Sequence, residues 1–401
     1  MSTLKVNGIR HTGASSDAIT TVSDGTCTAR VTNRSNRNII INGAMTQTNR
    51  VARGTTSAGS VATGTGIDIC DRWNRSIDLP SGVSTFTMSQ DTDCPGGFGY
   101  SLKITPNQSR SGALSGSDRF FLQQKIEAQN IRDSGWDYTN ASSKMTFSFW
   151  IKSNLTGIVT LEFNSPNTSS SYQYFHETIT INSANTWEKK SVQIIGNSNL
   201  AFNGDADNGL TCTMMLFAGP NFTSGSFSTG SWHDTTAGNR GNGSNIDLSS
   251  SSSNAVYITG VQLEVGDTAT DYAHELHSET LARCQRYAFK MEGDNTAATN
   301  HARLLPGYHT TGSQGLQPII HPVPMRAVTG RSVSHNISTL SCQVGGGGNH
   351  SNPTISVNGD ACGTTITNLN ISINSGRSVG AMFAWRVSSQ NNWFILIDNE
   401  L

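Results

Sequence analysis

Aromatic side chains set among amides are the chemistry this chain offers. Trp136 and Tyr138 stand in the polar run 133–138, Tyr172 and Tyr174 share one face of an expected strand, and Trp232 with His233 lies in a long Gly/Ser stretch. Tyr308 and His350 are their counterparts towards the C-terminus. A flat ring stacks on the apolar face of a pyranose while Asn, Gln or Asp side chains grip its hydroxyls. Each of these positions is expected to bind sugar or else to be a sheet-edge or intersubunit contact.

Catalytic chemistry is harder to assemble. No HExxH or EF-hand loop is present. Glycan hydrolysis needs two carboxylates on facing walls. Asp133, Asp137, Glu162 and Glu177 are available, but nothing in their spacing pairs them. Asp205-Ala206-Asp207-Asn208-Gly209 has the start of a calcium loop without the acid that closes one, and an Asn-Gly turn explains it better. Gly345 to Gly348 is followed by no lysine that would reach a phosphate, so it reads as a loop. The expectation is a protein without catalytic residues, metal or cofactor. The seven cysteines include no CxxC pair and are expected to be free thiols in a reducing compartment. Cys70–Cys94 and Cys342–Cys362 are the bridges that spacing would allow.

Composition bounds what can position such residues. Of 401 residues, 35% are hydrophobic and only 14% charged, and the formal net charge is -1. Ser, Thr and Asn make up roughly a third of the chain. Disorder usually needs low hydrophobicity together with high net charge. Here charge is lacking and β-branched and aromatic residues recur throughout, so a folded all-β protein with a thin core is expected. A thin core favours sharing apolar surface between subunits. Near-zero net charge argues against nucleic-acid binding. No apolar run is long enough to insert into a membrane, and the N-terminus has no signal-like segment.

Period-two alternation marks strands at 85–88, 100–104, 120–126, 144–152, 158–163, 172–175, 188–195, 210–217 and 255–263. Turns at 8–14-residue spacing suit a jelly-roll β-sandwich. A single helix is expected over 274–290, with Ser278 as N-cap and Leu281, Cys284 and Ala288 as its apolar stripe. The expected division is an N-terminal docking or trimerising segment at 1–38, a jelly roll at 39–273, the connecting helix at 274–290, and a second, smaller β-sandwich at 291–401.

Several motifs resemble a known class. Asn38 to Met45 (NxIxNGxM), then Asp71-Arg72-Trp73, the strand Val261-Gln262-Leu263-Glu264, and Arg283-Cys284-Gln285-Arg286-Tyr287 follow one another as they do in bacteriophage virion proteins of tail-fibre or spike type. The strands at 148–153, 186–192, 209–217 and 256–266 resemble carbohydrate-binding modules of jelly-roll form. Pro318 to Ala327 and the ending 397–401 resemble segments of such fibres. The resemblance implies a non-enzymatic homotrimer in the virion, assembled in the host cytoplasm and released by lysis. Its N-terminal end would contact other virion proteins, and its ligand would be a host surface polysaccharide. A capsid-surface decoration protein or head fibre is the alternative, and a virion-associated glycan depolymerase a second.

Overall fold

The computed structural model describes residues 6–10, 12–13, 17, 19–21, 23, 27–29, 37–50, 57, 61–83, 85–166, 172–293, 302–311, 313–342, 349–359, 362–372, 382–387 and 393–400. The Gly-rich run 345–348 lies outside them, as does the side chain of His350.

The chain is all-β apart from short helices. Eight strands build the main sandwich: Ser101–Pro106, Arg119–Glu127, Lys144–Ser153, Gly157–Ser165, Gln173–Ile181, Glu188–Ile195, Asn208–Ala218 and Val256–Val265. In chain order, the sixth, third, eighth and first are neighbours in one sheet, and the fifth, fourth, seventh and second in the other. That alternation is the strand order of a jelly roll. Phe86–Asp91 extends the first sheet to five strands, and Trp232–His233, Asn74–Asp78 and Gly64–Ile67 extend the second to seven. Alternation decides which side chains go inside. Met145, Phe147, Phe149 and Ile151 of one strand face Leu161, Phe163 and Phe175 of the opposite sheet in a common core. Phe163 meets Phe147 edge-on with centroids 5.2 Å apart. Burying each such ring contributes roughly 2–3 kcal/mol.

The motifs that carry the sequence resemblance are clasps of this fold. Asn38 accepts from the backbone N–H of Ile40 and Leu263, each at 3.0 Å, and donates to the Val261 carbonyl at 3.0 Å. It thereby fills the gap where Val256–Val265 breaks register between Thr259 and Gln262. Gly260 stands in that break with φ +61°, and a Cβ there would meet the Phe98 ring at 2.6 Å. Gln124 mimics a backbone unit, accepting from Ile41 N–H at 2.8 Å and donating to Ile41 C=O at 2.9 Å. Asn42, with φ +57°, donates to the Gln47 and Asp71 carbonyls. Trp73 donates its indole N–H to the Asn42 carbonyl at 3.0 Å, and is buried. Glu264 accepts from the Thr270 N–H at 2.9 Å, and Gln262 accepts from the Ala273 N–H at 2.8 Å, which pins the returning chain across the sheet.

The helix is shorter than expected, His277–Gln285. Its N-cap is Leu276, whose backbone N–H donates to Glu279 at 3.1 Å, so Ser278 lies inside the first turn. Ala288 belongs to the strand Ala288–Gly293, because this stretch pairs with Trp393–Asp398 and leaves the helix only nine residues. Together with Ser332–His335 these strands form a three-stranded sheet. It packs Ile395, Ile397 and Trp393 onto Leu369, Ile371 and Ile319 of a seven-stranded sheet.

A buried ion network joins this C-terminal unit to the jelly roll. Arg50 and Arg72, 5% and 2% exposed, pair with Asp398 and Glu400. Arg286 pairs with Glu127, which also accepts from the Tyr287 hydroxyl at 2.6 Å. The Arg72 guanidinium lies 3.5 Å from the Tyr287 ring centroid. The five cysteines with described thiols (Cys70, Cys94, Cys212, Cys284 and Cys362) are free, so neither suggested bridge forms.

Candidate functional site

The outer face of the seven-stranded jelly-roll sheet gathers the aromatic and amide groups. Register places Tyr174 beside Asn164, Asn164 beside Thr211, and Thr211 beside Lys125. Paired residues share a face, so these four side chains form a row across four strands. Gln123 lies in the next row, beyond Thr213. Tyr174, Asn164, Lys125 and Gln123 are half-buried, with one side open to solvent.

Tyr172, Tyr174 and His176 recur every second residue and stack along this face. The Tyr172 and Tyr174 rings are 6.5 Å apart, and Tyr174 and His176 are 6.3 Å apart and nearly parallel at 7°. Tyr172, at the open end, is 56% exposed. His176, at the closed end, is buried under Phe227 at 4.5 Å.

An ion core fixes that closed end. Glu162 is paired across from His176 and accepts from its Nε2 at 3.1 Å. Arg240 donates to both Glu162 oxygens, at 2.9 and 2.7 Å. His176 Nδ1 meets His233 Nε2 at 3.0 Å, and His233 Nδ1 donates to the Asp234 carbonyl at 2.9 Å. Burial pushes the Glu162 carboxyl up, but the His176 and Arg240 hydrogen bonds outweigh it and hold the group below the ordinary carboxylate range.

The expected site residues divide. Tyr172 and Tyr174 are brought together on an open face, and His233 reaches the same place on the strand Trp232–His233. Trp232 itself points inward, 7% exposed, against Phe175 and donating to the Ile195 carbonyl at 2.6 Å. Trp136 is a core residue at 3% exposure, and Tyr138 packs half-buried at its side, 4.9 Å from Phe202. Both tryptophans are therefore corrected from stacking surfaces to packing: their faces are covered by protein. Tyr308 is 46% exposed on the separate C-terminal sheet, next to Leu316. Sequence reasoning missed His176, Asn164, Thr211, Lys125 and Arg240. His176 was within reach, because it continues the period-two spacing of Tyr172 and Tyr174; the cross-strand neighbours depend on register.

No protein-family model matches the chain, and no curated protein matches it. Among solved structures, it is similar to the enzymatically active domain of tailspike protein 4 of Bacteriophage CBA120, at 10% identity and TM-score 0.29, over 57% of this chain and 22% of that one. It is also similar to a family 11 carbohydrate-binding module from Clostridium thermocellum solved with a mixed-linked tetrasaccharide, at 10% identity and TM-score 0.24, over 55% and 99%. A third is a xylan-binding domain from Paenibacillus barcinonensis, at 8% identity and TM-score 0.24, over 52% and 99%. At these scores neither fold nor ligand is carried over from them.

Proposed function

We propose that this chain is a non-enzymatic glycan-binding virion protein, a homotrimeric tail fibre or spike whose jelly roll meets a host surface polysaccharide. The observation that carries the glycan reading is the Tyr172–Tyr174 ladder opening onto the row of Asn164, Thr211 and Lys125. Rings supply stacking, and amide, hydroxyl and ammonium groups supply hydrogen bonds at fixed spacing. The virion assignment rests on the order of the NxIxNGxM, DRW, VQLE and RCQRY motifs, and the trimer on that resemblance together with the low apolar content.

The ion core supports binding over hydrolysis. A general acid or base must present a free lone pair or proton to substrate. Both Glu162 oxygens are held by Arg240 and His176, and both nitrogens of each imidazole are engaged. Glu177, one residue along, alternates to the opposite face of its strand. The core thus fixes the floor of the site and has nothing left to donate.

Affinity electrophoresis of the full chain in gels containing bacterial surface polysaccharides tests this reading. Retardation by at least one polysaccharide without its shortening is expected. Shortening of the glycan would replace the reading with a depolymerase, and absence of retardation by any would end it.

A further inference from the structure

The polar groups left without partners on this face narrow the ligand class, given the glycan-binding reading above. The titratable groups are already engaged. Arg240 donates to both Glu162 oxygens, and the two imidazoles spend their nitrogens on Glu162, on each other and on the Asp234 carbonyl. The Asp234 carboxylate accepts from Gln173 at 2.6 Å, and Lys125 has a contact of its own. Two amides differ. Among the described residues, the Asn164 and Gln123 side chains meet no hydrogen-bonding partner. Asn164 stands beside Tyr174, and Gln123 lies beyond Thr213 in the row of His176 and Glu162. Both are half-buried on the outer face, whereas Leu122 and Gln124, on either side of Gln123, point inward to the core and to the Ile41 backbone.

An amide both donates and accepts, as a sugar hydroxyl does, whereas a carboxylate only accepts. A carboxylate set against either amide would leave the amide carbonyl desolvated and unpaired. We propose that the face takes a neutral, hydroxyl-rich polysaccharide, with Tyr174 stacking on one sugar ring and the Asn164 and Gln123 amides holding hydroxyls along the chain. Tyr174 and Gln123 are three interstrand spacings apart, roughly 14–15 Å across the strands, and one row out of line. The ligand is therefore an oligomer running obliquely across the sheet, and a single sugar is too short to engage both ends. Salt screens charge repulsion but leaves a mismatch of donors and acceptors in place. Hydroxyl recognition and stacking are thus separable in one experiment.

The probes are a β-glucan, a mannan, a galactan and a neutral bacterial surface polysaccharide, each paired with the form whose primary hydroxyls have been oxidised to carboxylates. Dissociation constants of the full chain are measured by affinity electrophoresis at low and high salt. At least one neutral polymer is expected to bind at least tenfold more tightly than its oxidised form, and to keep that margin at high salt. The double variant Asn164→Asp/Gln123→Glu, which keeps both shapes and removes both sets of donors, should weaken the neutral polymer at least tenfold. Tyr174→Ala should weaken both forms. Far-UV circular dichroism checks folding, and if the double variant does not fold, the neutral and oxidised pair on the parent decides. Equal or tighter binding of the oxidised form at high salt, or an unaffected folded double variant, overturns the neutral class and leaves the glycan reading standing. Binding to neither form of any polymer, or binding indifferent to Tyr174→Ala, overturns both.

Discussion

Glu162 shows how the site and its stability depend on the same residue. It is buried, ionised and shared by Arg240 and His176. Its carboxyl is depressed in the folded chain, so its contribution is present above the ordinary carboxylate range and is lost as pH falls through the lower folded value. Glu162→Gln leaves Arg240 without its counter-charge and His176 without its carboxylate acceptor. Breaking a buried pair from one side costs roughly 3–5 kcal/mol, and urea unfolding at neutral pH should show a loss of that order. The gap between variant and parent should narrow in acid. The tyrosines behave oppositely. Tyr172→Ala and Tyr174→Ala should weaken glycan binding with little change in urea midpoint. Trp136→Ala and Trp232→Ala should each cost roughly 3–5 kcal/mol, visible as a lower midpoint. The sequence separates these two classes poorly. Trp136 and Trp232 sit in polar, Gly-rich surroundings, and polarity of neighbours along the chain says little about what covers a ring from a distant strand. Tyr172 and Tyr174 were legible because strand periodicity alone assigns them one face.

Among elements, the strands of the jelly roll were the most legible part, since buried faces impose strict alternation on Met145 to Ile151 and its neighbours. The helix was overextended because Ala288 fits a helical stripe and a strand equally well, and its pairing with Asp398 decides. The resemblance motifs proved to be joints. Asn38, Asn42, Gln262 and Glu264 satisfy backbone groups where strands break or the chain turns back, which ties their spacing to the fold and not to a ligand. The joint between the two units is similarly local. Glu400→Gln leaves the buried Arg72 and Arg50 short of a counter-charge, at a cost of roughly 3 kcal/mol. Calorimetry should then resolve two transitions where the parent shows one. His321 adds a pH signature to the C-terminal unit. Burial, then the Arg331 charge, lower its pKa to about 4, while its Nε2 lies 2.8 Å from the Thr367 hydroxyl. The unfolded chain therefore takes up this proton first as pH falls from about 6.5. Stability of the unit should decline between about 6.5 and about 4, and His321→Gln should flatten that decline in thermal melts.

At the scale of the molecule, composition foretold an all-β chain with polar faces, and the two sandwiches have that character. Composition could not place the site, because the row Tyr174, Asn164, Thr211 and Lys125 exists only once strands far apart in sequence are neighbours. The proposed trimer makes its own prediction: light scattering coupled to gel filtration should give three times the 42.8 kDa chain mass at micromolar concentration, and a monomer would remove it. Multiple sites on one assembly would add avidity to weak single contacts. In the proposed assembly the outer face of the seven-stranded jelly-roll sheet is a glycan-binding surface built on Tyr172 and Tyr174. Affinity electrophoresis comparing the parent with the double variant Tyr172→Ala/Tyr174→Ala, on any polysaccharide that retards the parent, addresses it most directly. At least a tenfold loss of affinity with an unchanged melting temperature is expected. Full retention of binding by a folded double variant would contradict it.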